Sequence, residues 1–75
     1  HFGDMRKWVV DNIDQDPAGL FKDLYSNFYN TMKPESIPPM VILLAEYQYK
    51  NAFVADPELN MVACLTEIMG ECKFK

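Results

Sequence analysis

Apolar and polar positions recur with a helical period in four stretches of the chain. In residues 1–12, Phe2, Met5, Trp8 and Val9 share a side, with Arg6, Lys7 and Asp11 elsewhere on the wheel. The stretch starts abruptly, so its helix is expected to begin upstream of His1. Residues 12–16 read as a polar connector. Asp16-Pro17 then places an acceptor side chain at a helix cap and proline at the first helical position. The helix that follows carries the cleanest single stripe, Phe21, Leu24, Tyr25, Phe28 and Met32, with Lys22, Asp23, Ser26, Asn27 and Asn30 opposite. Gly19 weakens its first turn by about 1 kcal/mol relative to alanine, and Lys33-Pro34 ends it.

Ser36 is the next expected cap, followed by Pro38 and Pro39 in a first turn, where missing amide hydrogens cost little. Every residue from Met40 to Ala45 is apolar, which a buried strand also allows. The pattern continues through Tyr47, Tyr49 and Phe53, and Leu43, Leu44, Ala45, Glu46 and Gln48 are helix formers, so the reading is helix. The last helix, expected over Asp56–Lys73, opens Asp56-Pro57-Glu58. Its polar stripe is Asn60, Glu67 and Glu71, its bulky face Met61, Val62, Leu65, Ile68, Met69 and Cys72. A second face, Leu59, Ala63, Thr66 and Gly70, is mostly small. A helix apolar on two faces needs cover on two sides.

Four helices joined by short, proline-marked turns predict an all-α, antiparallel bundle spanning residues 1–75 as one domain. The bulky face of the last helix is expected against Phe21, Leu24, Tyr25, Phe28 and Leu44. The small face would then admit another helix closely, from the same bundle or from a neighbouring subunit. Tyr47, Tyr49 and Phe53 form a second candidate contact surface, since aromatic rings suit interface anchors.

With 75 residues, the chain buries one small core, and such domains are marginal unless something outside them helps. Its 49% apolar and 24% charged residues are globular rather than disordered composition. A net charge of −4 argues against a free-standing nucleic-acid binder. No apolar run reaches the roughly 18 residues of a membrane span, and no signal-peptide pattern follows Arg6 and Lys7. Lacking an initiating methionine, the chain is expected to be a piece of a longer polypeptide. Cys64 and Cys72 fall on one helix, roughly 12 Å apart along its axis, beyond disulfide reach. Both are expected reduced and semi-buried, as in a cytosolic protein.

Candidate chemistry is sparse. Asn12, Asp14 and Asp16 imitate the start of a calcium loop, but its sixth position needs a positive φ that Pro17 cannot adopt. No zinc or other metal site is expected, since His1 is the only histidine. Glu35-Ser36-Ile37 resembles the phosphopantetheine attachment site of acyl carrier proteins, with Ser36 as the attachment residue, although Pro38 and Pro39 depart from that pattern. The plain cap is the preferred reading. Gly3, Gly19 and Gly70 are too scattered for a phosphate-cradling loop, and no serine or cysteine has a histidine base beside it. No catalytic residue, cofactor or autonomous enzyme activity is expected. The aromatic residues Tyr25, Phe28, Tyr29, Tyr47, Tyr49 and Phe53 lack interleaved basic residues, which favours core and interface over base stacking.

Three segments carry a family resemblance: Pro34-Glu35-Ser36-Ile37, Tyr47-Gln48-Tyr49-Lys50-Asn51-Ala52, and Ala55-Asp56-Pro57-Glu58-Leu59-Asn60. Together with the closing Cys72-Lys73-Phe74-Lys75, they resemble the extreme C-terminus of clamp loader small subunits from tailed phages. Leu20-Phe21-Lys22-Asp23-Leu24-Tyr25-Ser26-Asn27-Phe28-Tyr29 fits as well, and the pattern is more distantly similar to replication factor C small subunits. In that family this region is the collar, a helical domain that follows an AAA+ ATPase module and joins subunits into a ring-like pentamer. The resemblance implies that partners are other clamp-loader subunits. It places the sliding clamp and primer–template DNA within reach only through the parent complex, in the cytoplasm of an infected bacterial cell. ATP and Mg²⁺ would belong to the parent, because no residue here matches the family's P-loop, Mg²⁺-binding acids or arginine finger. A generic helical interaction module is the remaining alternative.

Overall fold

The computed structural model describes residues 2–75. Its helices are α1 (Phe2–Asn12), α2 (Pro17–Thr31), α3 (Ile37–Asn51) and α4 (Pro57–Glu71), with a 3₁₀ turn at Pro34–Ser36 before α3. The described residues therefore form an all-α bundle of four helices, and Met40–Ala45 is helical. None of these helices is long and apolar enough to cross a membrane.

Two helix starts follow from local chemistry. The Asp16 Oδ2 accepts the Gly19 N–H at 3.2 Å, and the Asp56 Oδ1 accepts the Leu59 N–H at 3.2 Å. Each satisfies one orphan donor of a first turn whose first residue is proline. Asp56→Ala should therefore cost about 1 kcal/mol, read as a lower urea midpoint, while Asp56→Asn should cost little. An unchanged midpoint for Asp56→Ala would show that the cap carries no weight.

α3 occupies the middle and packs on both α2 and α4, whereas α1 has α4 as its main neighbour. Asn60, near the start of α4, bonds to residues near the end of α3, and Lys73 bonds to Ser36 at its beginning, so α3 and α4 run antiparallel. α2 and α3 line one cleft together, and the short link from Thr31 to Ile37 sets them as antiparallel neighbours. The core joins Leu20, Phe21 and Leu24 of α2 to Met40, Leu43 and Leu44 of α3 and to Met61, Cys64, Leu65 and Ile68 of α4. α1 adds only Val9 to the buried set; Phe2 and Trp8 are 52% and 36% exposed. An 11-residue helix with one main neighbour can bury only one narrow side.

The chain end departs from the expected helix. α4 stops at Glu71, and Cys72 turns to an extended conformation at φ −110°, ψ 149°. Met32 and Phe74 then pair as a short antiparallel bridge. The Lys33 N–H donates to the Lys73 carbonyl at 3.0 Å, and the Lys75 N–H donates to the Thr31 carbonyl at 2.9 Å. Ser36 closes the clasp, its Oγ accepting the Lys73 N–H at 2.8 Å. Apolar residues alternate with lysines in Cys72-Lys73-Phe74-Lys75, the period of a strand, and this was the available signal. Cys72 is buried, and the Phe74 ring meets Phe28 edge-on at 5.8 Å.

Candidate functional site

α4 carries the decisive surface. Its buried side comprises Asn60, Met61, Cys64, Leu65 and Ile68. That set differs from the expected bulky face: Asn60 and Cys64 are inside, and Met69 is 39% exposed. At about 100° per residue, the buried positions cover one side of the wheel and Leu59, Ala63, Thr66 and Gly70 cover the other. All four of these are exposed, Leu59 at 66%. Among the described residues no other helix covers that face, although Phe2 and Arg6 of α1 line a cleft with Leu59 at its edge. A Cβ built on Gly70 would meet nothing within 4 Å. The Thr66 hydroxyl donates to the Val62 carbonyl at 2.7 Å, so its donor is satisfied within the helix and the outward surface is low and largely apolar.

The α3 candidates separate. Tyr47 is half-buried, and its hydroxyl donates to Glu67 Oε1 at 2.7 Å, while Lys50 Nζ lies 4.7 Å from the ring centroid. Its polar edge is thus engaged in the α3–α4 seam, which sets it apart from the more exposed Tyr49 and Phe53 among the three candidate rings. Asn60 completes the seam, donating to the Tyr47 carbonyl at 3.1 Å. Two residues of the polar stripe, Asn60 and Glu67, thus serve the α3–α4 seam while Glu71 is exposed, and burying Asn60 is tolerable because its amide has partners. Tyr49 and Phe53 are each 71% exposed, with ring centroids 5.1 Å apart. Ile42, 60% exposed, falls seven residues before Tyr49 and shares its outward side. Tyr25, expected in the core, is 43% exposed and stands beside Tyr29, with a 5.9 Å centroid separation.

Ser36 sits at the start of α3 as expected, but its side chain makes no capping bond there. It is buried, with its hydroxyl engaged by the tail. A phosphopantetheine attachment serine must be open to a transferase, and this geometry does not present Ser36 in that way. Cys64 and Cys72 are both free and buried. Burial, with Glu67 nearby, pushes the Cys64 thiol up to about 12, and burial raises Cys72 as well. These thiols stay protonated and unreactive near neutral pH.

The Tyr47–Glu67 bond has a pH signature. Chiefly through that bond, Tyr47 is pushed from 10.0 to about 12. A phenol whose folded pKa exceeds its unfolded value contributes stability that is complete below the unfolded pKa and disappears as pH rises through the folded one. Stability should fall between pH 10 and about 12 from this group, beside a loss between 9 and about 12 from Cys64. Urea titrations of Tyr47→Phe should show a shallower decline across pH 10–12 than the parent; equal slopes would contradict the bond.

Comparison with protein-family models and with curated protein sequences gives no match. The outward faces of α3 and α4 must therefore be interpreted from their own chemistry and from the resemblance in the sequence.

Proposed function

We propose that this chain is an oligomerisation module of the clamp-loader collar type, which holds AAA+ subunits together while the parent machine loads a sliding clamp on primer–template DNA. The observation that carries the reading is the outward face of α4, where Leu59, Ala63, Thr66 and Gly70 form a low, largely apolar surface without cover from the other described helices. Small side chains allow a second helix to approach closely, and Ile42 and Tyr49 of α3, with Phe53 in the turn after it, supply bulky groups suited to an interface core. Activity belongs to the parent; the module contributes attachment.

Gly70 gives a test in which folding and assembly move in opposite directions. Gly70→Ala meets no steric obstacle within the chain and should stabilise α4 by up to about 1 kcal/mol. If a neighbouring helix packs across Gly70, the added methyl should weaken self-association despite the more stable fold. Sedimentation and thermal melts of one preparation read both effects. A variant that is more stable and associates equally well would remove Gly70 from the contact.

The collar identity itself is tested by mixing. The chain should co-elute with small subunits of a tailed-phage clamp loader and, in excess, lower their clamp-dependent ATPase rate by displacing intact subunits. A chain that self-associates yet ignores those subunits would be a general interaction module instead.

A further inference from the structure

We draw no further inference here: the strongest candidate, the apolar cleft between α1, α2, α4 and the C-terminal tail that Met5, Trp8, Phe28, Met69 and Phe74 line, is an unpartnered surface, and nothing in the structure shows what covers it.

Discussion

Replacing Ile68 with alanine should bring the domain close to unfolding. Ile68 is fully buried on α4 and belongs to the core that Leu24, Leu44 and Val9 share. Removing its branched side chain loses transfer free energy and leaves a cavity, together about 2–5 kcal/mol. A domain of 75 residues has roughly 4–11 kcal/mol to lose. The urea midpoint should therefore drop by a large fraction, and circular dichroism at 37 °C should show partial loss of helix. Ile42→Ala is the matched control: the same chemical change at a 60% exposed position should shift monomer stability by no more than about 0.5 kcal/mol. Equal effects of the two substitutions would mean that α4 does not bury Ile68, or that α3 does not expose Ile42.

Deleting Cys72–Lys75 should have a comparable effect, although only four residues are removed. The deletion abolishes the bridge between Met32 and Phe74 and the bond that engages the Ser36 hydroxyl. Each lost hydrogen bond contributes about 0.5–1.5 kcal/mol, and the Phe28–Phe74 edge contact adds about 0.5–1.5 kcal/mol. Buried Cys72 is lost, and Met32, which has no exposed surface, loses its bridge partner. About 3 kcal/mol or more is expected in total, with amide exchange accelerating first around residues 31–36. Phe74→Ala alone should cost about 1–2 kcal/mol, since the backbone bonds survive. A truncated chain as stable as the parent would show that the clasp contributes nothing.

The sequence made the helix starts legible because capping is local. Asp16-Pro17 and Asp56-Pro57 need only their own first turns, and both cap as expected. The Phe21–Leu24 stripe was legible because α2 has one apolar side. α4 was legible in part: Met61, Leu65 and Ile68 of its bulky face lie inside as expected, but polar Asn60 is buried with them. Its partners, the Tyr47 carbonyl and Asn51, lie on another helix, where no window along the chain connects them. The tail was misread because helix formers run up to Met69 and mask the alternation that follows. Ser36 was placed correctly in the chain but misassigned in its bond, since Lys73 lies far away in sequence.

Within the candidate surface, Tyr49 and Phe53 are exposed while the Tyr47 hydroxyl is engaged by Glu67, although all three are aromatic residues at or just past the end of α3. Spacing distinguishes them: Tyr49 and Phe53 are four apart and meet at a tilt on one side, and Tyr47 falls on the seam side. The contrast shows that aromatic composition alone does not define an interface. What matters is whether the ring's polar edge and apolar face are already engaged by the same chain.

The outward face of α4 is most directly tested by sedimentation equilibrium of the parent and of Ala63→Arg over the same concentration range. Ala63 is exposed, so arginine fits the monomer without disturbing its core. The parent should rise in mean mass above the 8.7 kDa monomer as concentration increases, while Ala63→Arg should remain monomeric with an unchanged helical spectrum. Two superimposable mass curves would show that this face joins nothing, and the proposed collar role would fall with it.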